Sequence, residues 1–470
     1  MRKYLLIISL TALAFVVKSQ EKLPVSSIEI EGNKVTKKEI IIRELSFQKG
    51  DSLSINELII KIKQSEKNLK NMKLFNFSQI NFVIQDNKQF KIKINLIEQW
   101  YIFPYPIIEV SERNFNVWWD DFKESNYSDF SKINYGIYLN WKNFRGKNES
   151  LKLKFRRGFK EQYLTEYGIP YVNKEKTFGI KTKISLLREK RTAYETNYNQ
   201  LEYYEDNSYS KTNIEASLFF NYKPKIQNTH SIGFSYFRTA VPDSVIIKNP
   251  YYFTNKNNSK NKIGDYCQLH YIYHYENRDY SEYPLNGNSI NFEAKKNLPI
   301  NSSVQHIEVI AKLEHYLEPI DDFFLGTSFQ TKWSSSEYQP YFSQKGFGFD
   351  NFVRGYEYYV IDGQKYWLSK TAIRYPIIDK KTFEIPYIKL NQFRKAHIAV
   401  FISLFSDLGY IIDRQKNQEN NPLSNMLLWG KGISIDFITY YDRILRIEYS
   451  MREDSINQEK GIFLHFSSPF

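Results

Sequence analysis

The chain has 470 residues, and 65 lysines and arginines against 52 aspartates and glutamates give it a formal net charge of +13. The basic residues form no stripe interleaved with stacking aromatic side chains, so the charge does not predict a nucleic-acid partner, and lumen lysines or anionic lipid head groups explain it better. The single cysteine, Cys267, excludes a disulfide framework or a CxxC metal site within one chain.

The first twenty residues have the pattern of a secretory leader. Two basic residues precede an apolar stretch over residues 4–17, and Val17 and Ser19 suit the small-residue positions before a cleavage site. We therefore predict a signal peptide over residues 1–19 and a mature chain that begins at Gln20. No later run is long and apolar enough to cross a bilayer as a helix, so a membrane-embedded mature protein must be a closed β-barrel.

Residues 20–100 are predicted to form one α+β domain with its elements in the order β-α-α-β-β. Each of the two helices is predicted to begin at a capping box, in which two side chains satisfy free backbone N–H groups. The first box is Thr36 with Glu39, and the second is Ser54 with Glu57. The helices are predicted to end near residues 45 and 70, and the strands are predicted at residues 25–30, 77–85 and 90–97.

Residues 101–470 alternate between apolar and polar side chains with the period of two that is typical of β-strands. Residues 445–452 are an example: Leu445, Ile447, Tyr449 and Met451 alternate with Arg446, Glu448, Ser450 and Arg452. The pattern predicts sixteen strands and no helix, with strand starts near residues 105, 132, 149, 162, 177, 211, 230, 263, 287, 303, 321, 366, 396, 429, 443 and 461.

A soluble β-sandwich would show the same alternation, so periodicity alone leaves both classes open. The 37 tyrosines and 35 phenylalanines, in a chain whose mean hydropathy is −0.53, favour a transmembrane barrel, because only every second strand residue of a barrel faces lipid and aromatic side chains gather at the two interfaces. The leader and the even number of strands agree with this interpretation. The predicted fold is therefore mainly β: a 16-stranded transmembrane antiparallel β-barrel after one α+β domain.

Two short motifs and the C-terminus single out candidate functional residues. Val353, Arg354, Gly355 and Tyr356 lie in a long connection between predicted strands, over residues 334–365. A second motif, Phe405-Ser406-Asp407-Leu408-Gly409, lies inside a predicted strand. The chain ends at Phe470, in phase with Phe466 and the apolar residues before it.

Enzyme chemistry finds little support in the sequence, which contains no GxSxG, HExxH or P-loop motif. No pair among the seven histidines has a metal-ligand spacing: His270 and His274 share one strand face but lie about 13 Å apart along it. We therefore predict no enzyme activity, no cofactor and no metal site.

On these residues the chain resembles the BamA/TamA-like superfamily of outer-membrane protein assembly factors, in a short form with a single POTRA domain at residues 20–100 and a barrel at 101–470. The resemblance implies that the long extracellular loop folds back into the barrel and that its tip meets the FxDxG motif on the thirteenth strand. Arg354 is then expected to pair with Asp407. The residues implied in this lumen clamp are Val353, Arg354, Gly355, Tyr356, Phe405, Asp407 and Gly409.

One position departs from the family pattern. Many relatives have a Glu at the position of Ala372, so this chain lacks a second carboxylate for Arg354 there. Glu357 is the candidate to replace it. The resemblance also implies that Phe466 and Phe470 end a C-terminal sorting signal, a role that is compatible with an interfacial girdle position.

Three functions remain open at this point. The first is an assembly and insertion factor in the outer membrane, with its POTRA domain in the periplasm, its partners being unfolded outer-membrane proteins, outer-membrane lipid and periplasmic or lipoprotein subunits. This function would use a lateral seam in which residues 105–113 pair weakly with residues 461–466. The second is a two-partner-secretion pore that exports one protein, and the third is a barrel that transports nothing.

Overall fold

The computed structural model describes residues 21–110, 115–128, 130, 132–254, 261–388, 394–415, 420–439, 443–453 and 458–467. The predicted signal peptide, Phe470 and Arg113 therefore lie outside the described residues. No helix in the described ranges combines the length and the apolar character needed to cross a bilayer.

The N-terminal domain is a four-stranded sheet covered by two helices. Its elements are β1 (Leu23–Glu31), α1 (Lys38–Arg43), β2 (Ser52–Leu53), α2 (Ile55–Asn71), β3 (Phe75–Ile84) and β4 (Phe90–Glu98). The strand order is β2-β1-β4-β3, with β1 and β4 parallel. Helix α2 packs Leu58 and Leu69 against Ile92 and Ile94 of the sheet, and all four side chains are fully buried. The predicted β-α-α-β-β order is recovered, with the two-residue β2 as an unpredicted addition.

One predicted capping box is confirmed and the other is wrong. At the start of α2 the Ser54 hydroxyl accepts the Glu57 N–H and the Glu57 carboxylate accepts the Ser54 N–H. Helix α1 instead begins after Lys37, and no side chain in the described ranges caps it. The Thr36 hydroxyl instead forms hydrogen bonds with the Tyr101 hydroxyl, at 2.9 Å, and with the Asn143 amide nitrogen, at 2.8 Å. These tertiary contacts replace the local cap that the sequence spacing predicted.

The C-terminal region is a sixteen-stranded antiparallel sheet in which strands that follow one another along the chain are neighbours. Its first five strands are β5 (Ile102–Val110), β6 (Ile133–Phe144), β7 (Glu149–Gly158), β8 (Lys160–Ile169) and β9 (Phe178–Glu189). A separate hairpin, β10 (Arg191–Asn197) and β11 (Gln200–Glu205), comes next. The sheet then continues through β12 (Lys211–Lys225), β13 (Asn228–Ala240), β14 (Ile263–Glu276), β15 (Gly287–Pro299), β16 (Ile307–Ile320), β17 (Phe323–Ser334), β18 (Lys365–Glu384), β19 (Lys395–Ile412), β20 (Leu427–Thr439), β21 (Arg443–Glu453) and β22 (Gln458–Ser467).

The prediction of sixteen barrel strands is confirmed, and the largest offset is at the tenth strand, predicted near residue 303 and observed from Ile307. The expectation of no helix is wrong. Helices α3 (Phe115–Glu124) and α4 (Asp243–Lys248), and a short 3₁₀ turn at Tyr341–Ser343, lie in the connections between strands. Helix α3 has a helical spacing of aromatic residues that the strand-based prediction missed. Trp118 and Phe122 are four residues apart, and their rings stack with centroids 4.9 Å apart.

The barrel has an apolar outside and a polar inside. Ile108 is 80% exposed and Ile462 is 70% exposed, whereas the carboxylates of Asp407 and Asp436 are fully buried. A soluble sandwich would have the reverse arrangement, because it buries its apolar face. This distribution resolves the ambiguity of the alternating sequence in favour of a lipid-facing barrel.

The N-terminal domain docks against the turns at one end of the barrel. The Lys37 N–H donates to the Gly146 carbonyl at 2.9 Å in the turn between β6 and β7, and the Lys67 ammonium donates to the Asn277 carbonyl at 2.6 Å in the turn between β14 and β15. Burial raises the pKa of the Tyr101 hydroxyl between the two regions, so it stays protonated and donates to the Leu74 carbonyl. These two turns are six strands apart in the sixteen-stranded sheet, so the contacts fix the orientation of the domain.

Candidate functional site

The connection between β17 and β18 folds into the barrel lumen. Phe347 and Ile361 form a backbone bridge that closes it into a hairpin-like loop. Near its tip Val353 and Tyr356 are almost fully buried, and they pack in one apolar cluster with Leu428 of the wall strand β20. Residues 335–364 are hereafter called the inner loop.

Arg354 at the tip of the inner loop meets Asp407 on β19, the thirteenth strand of the barrel. Its Nε donates to Asp407 Oδ2 at 2.8 Å, its Nη2 donates to Oδ1 at 2.6 Å, and its backbone N–H donates to Oδ2 at 3.2 Å. Two parallel charge-assisted bonds fix the orientation of the guanidinium plane as well as its position. Lys370 Nζ lies 3.8 Å from the same carboxylate, so a second cation faces Asp407.

Phe405 completes the contact from the same strand. It lies two residues before Asp407, so both side chains face the lumen. The guanidinium carbon of Arg354 lies 3.8 Å from the centre of the Phe405 ring, which is cation–π geometry. The motif therefore presents one carboxylate and one aromatic face to a single guanidinium.

Glycines make room for the loop tip against the wall. A Cβ at Gly409 would lie 2.6 Å from the Val353 Cγ2 atom, and a Cβ at Gly430 on β20 would lie 1.8 Å from the Arg354 carbonyl oxygen. Gly355 has φ +93°, a backbone conformation that side chains rarely adopt. Sequence reasoning missed Gly430, although a glycine at an inward position of a strand is a signal of close backbone approach.

Two other predicted positions are placed as follows. Glu357, the candidate replacement for the carboxylate missing at Ala372, accepts the Gly355 N–H through Oε2 at 2.9 Å, and its Oε1 lies 3.6 Å from His465 Nε2. Phe466 lies in β22 and pairs with Leu445 of β21.

Asn199, which sequence reasoning also missed, holds the inner loop from the opposite side. It is fully buried at the turn between β10 and β11, where its φ is +61°. Its side-chain amide donates to the Val360 carbonyl at 3.1 Å and accepts the Leu423 N–H at 3.0 Å. The hairpin thus ties the inner loop to the connection between β19 and β20.

The first and last barrel strands, β5 and β22, are the two ends of the strand order. The ladder order runs from β22 to β5, and no ladder joins these two strands in the described residues. The weak pairing expected there is replaced at Leu464 by a side chain of α3: Asn116 Nδ2 donates to the Leu464 carbonyl at 3.3 Å, and the Leu464 N–H donates to Asn116 Oδ1 at 3.2 Å. Both backbone groups of Leu464 point to the sheet edge, so the amide of Asn116 stands where one residue of a neighbouring strand would stand.

A comparison with protein families decides the family. Residues 143–449 match the Omp85 superfamily domain. The chain belongs to the Omp85 superfamily. Residues 23–99 match POTRA, described as a surface antigen variable number repeat, so the predicted resemblance to the BamA-like assembly superfamily is confirmed. No curated protein matches the chain in sequence.

Three solved structures have a fold similar to this Omp85 protein. BamA from Haemophilus ducreyi lacking POTRA domains 1-3 has a TM-score of 0.53 and 16% identity, over 95% of this chain and 84% of that chain. CdiB from Escherichia coli has a TM-score of 0.52 and 10% identity, over 97% and 92%. CdiB from Acinetobacter baumannii has a TM-score of 0.51 and 11% identity, over 95% and 74%. At these identities the likeness is one of fold.

Proposed function

We propose that this Omp85 protein is an outer-membrane assembly factor. Its POTRA domain lies in the periplasm and receives unfolded outer-membrane proteins, and its barrel releases them into the bilayer at the seam between β5 and β22. The observation that carries the proposal is the edge of β22, whose backbone is held by the side chain of Asn116 instead of a strand.

An edge held in this way can be exchanged. A strand edge with backbone groups directed outward is a template for an incoming strand, which adds by β-augmentation. Asn116 occupies that template at Leu464 with two neutral hydrogen bonds, each worth about 1 kcal/mol net. A client strand that forms a full ladder with β22 gains more bonds than it displaces, so exchange is favourable.

The POTRA sheet offers a second edge to the same clients. Strand β3 is the terminal strand of the order β2-β1-β4-β3, and Val83 and Ile84 near its end are exposed. An extended periplasmic segment can add to this edge by the same mechanism. Because the POTRA domain is fixed to the barrel turns, a segment bound there stays beside the barrel.

Depletion of the protein from its native membrane tests the function. We expect quantitative proteomics of the outer membrane to show a fall in many barrel proteins. Loss of a single secreted protein, with the barrel proteins unchanged, would instead identify a two-partner-secretion pore. An unchanged outer membrane and an unchanged secreted fraction would identify a barrel that transports nothing.

The seam makes a separate prediction about Asn116. In the variant Asn116→Ala, the Leu464 amide loses its acceptor, and its hydrogen exchange should rise roughly fivefold, as expected for a bond of about 1 kcal/mol. Mass-spectrometric exchange of the peptide that contains Leu464 measures this. Glu124→Ala, an exposed change at the far end of α3, is the matched control and should leave the peptide unchanged. Equal exchange in the two variants would contradict the edge-capping role.

A further inference from the structure

We propose that Glu357, Glu448 and His465 form a binding site for Zn²⁺ inside the barrel. The three side chains come from separate elements: the inner loop, β21 and β22. Sequence spacing gave no sign of them, because metal-ligand motifs are recognised within one short segment. The inference rests on geometry, burial and charge, and it does not depend on the proposed function.

The distances match a zinc coordination shell. His465 Nε2 lies 3.3 Å from Glu448 Oε1 and 3.6 Å from Glu357 Oε1, and the three potential ligand atoms all lie within 4.8 Å of one another. Zinc binds imidazole nitrogen and carboxylate oxygen at about 2.0–2.2 Å, so neighbouring ligand atoms of a tetrahedral site are about 3.4 Å apart. The two histidine–carboxylate separations are therefore close to edges of such a tetrahedron.

Burial makes an uncompensated carboxylate pair costly. Glu448 is 1% exposed and Glu357 is 3% exposed. Neither carboxylate oxygen of Glu448 has a hydrogen-bond donor among the described residues, and His465 Nε2 likewise lacks a hydrogen-bond partner there. A buried carboxylate without donors is strongly disfavoured unless a cation lies against it. In Glu448 and His465, the atoms that lack partners among the described residues are the atoms that would bind the metal.

The nearby arginines are already committed to other carboxylates. The charges of Arg354 and Arg446 reach Glu448, but Arg354 forms its two-bond contact with Asp407, and Arg446 forms one with Asp436. Two carboxylates with a neutral imidazole carry two negative charges. One divalent cation neutralises them, which a singly charged imidazolium cannot do.

The donor set selects among divalent cations. Calcium prefers six to eight oxygen ligands and magnesium an octahedral shell of oxygens, and neither accepts imidazole readily. Zinc binds mixed imidazole and carboxylate sets, and three protein ligands leave its fourth position for water. The bound ion would join the inner loop to the last two strands and so brace β22, the strand at the seam.

The test uses untagged full-length protein folded in detergent, stripped with a chelator, incubated with Zn²⁺ and desalted. Elemental mass spectrometry should find a single zinc ion per chain. Glu448→Gln and His465→Gln should each weaken zinc binding by at least about tenfold. His270→Gln is the matched control, since His270 is a buried lumen histidine 3.8 Å from Glu293, outside the site.

A second readout uses the wild-type protein alone and does not depend on whether the variants fold. Titration with Co²⁺ should give the visible absorption of a tetrahedral cobalt site, and Zn²⁺ should abolish it by competition. Hydrogen exchange of β22 should slow on metal binding. The proposal is overturned if the wild-type protein, after incubation with Zn²⁺ and desalting, retains no zinc and its Co²⁺ titration shows no tetrahedral spectrum. It is also overturned if His465→Gln retains as much zinc as His270→Gln.

Discussion

Arg354→Ala is expected to release the tip of the inner loop and to abolish the proposed assembly activity while the barrel remains in the membrane. The change leaves the Asp407 carboxylate fully buried without its two-bond partner. Removal of one member of a buried pair costs about 3–5 kcal/mol, because the remaining charge keeps its desolvation penalty. That cost applies to the docked position of the loop. The sheet itself is retained, since its ladders do not involve Arg354.

Two measurements separate loop release from unfolding. Protease added from outside should cut the inner loop of Arg354→Ala at sites that are protected in the wild type, and the barrel should still resist detergent until it is heated. Arg446→Ala is the matched control, because Arg446 makes a similar two-bond contact with Asp436 between neighbouring wall strands. It should lower barrel stability and leave the inner loop protected.

A charge exchange tests the pairing itself. Arg354→Asp and Asp407→Arg should each lose activity, and the double variant should recover part of it, because the pair is restored with its direction reversed. Recovery cannot be complete, since Phe405 and Lys370 are arranged for a guanidinium on the loop and a carboxylate on the wall. Wild-type activity in both single variants would refute the role of the pair.

The barrel could be predicted well because each strand can be recognised from the residues of its own segment. Alternation, turn residues and strand length are local, and the sheet pairs strands in chain order, so local patterns sufficed for the topology. The N-terminal domain was predictable for the same reason at Ser54 and Glu57. The prediction of a capping box failed at Thr36, because its hydroxyl forms hydrogen bonds with Tyr101 and Asn143, which are both distant in sequence.

The contacts of the site fall into two groups by the same criterion. Arg354 and Asp407 could be singled out because each lies in a short recognisable motif. Asn116 and Leu464 could not, because 348 positions separate them and neither lies in a motif. Glu357, Glu448 and His465 likewise come together only when the inner loop enters the barrel and β22 pairs with β21. Helix α3 was a missed local signal, since Trp118 and Phe122 have helical spacing.

Gly430→Ala is expected to displace the inner loop by steric conflict alone, with no change of charge. The added Cβ would lie 1.8 Å from the Arg354 carbonyl oxygen, a backbone atom that cannot swing away as the end of a side chain can. Overpacking of this kind costs about 1–3 kcal/mol, and here the loop tip is the part that can move. Activity should therefore fall, and the inner loop should become accessible to protease.

Gly168→Ala is the matched control on β8. Among the described residues, a Cβ at Gly168 would meet only the Ser150 hydroxyl oxygen, at 2.8 Å, and a rotation of that side chain relieves the contact. Its activity and loop protection should equal those of the wild type. If Gly430→Ala behaved in the same way, the tip would not rest against β20.

The double variant Arg354→Ala with Gly430→Ala tests whether the two changes displace the same loop tip. If both changes act by displacing the same loop tip, the second has nothing left to displace, and the two losses in activity should be far from additive. Two independent effects on barrel folding would add within about 0.5 kcal/mol. Strong non-additivity in activity, with barrel stability unchanged from the single variants, would mean that the charge pair and the glycine hold one element in one position.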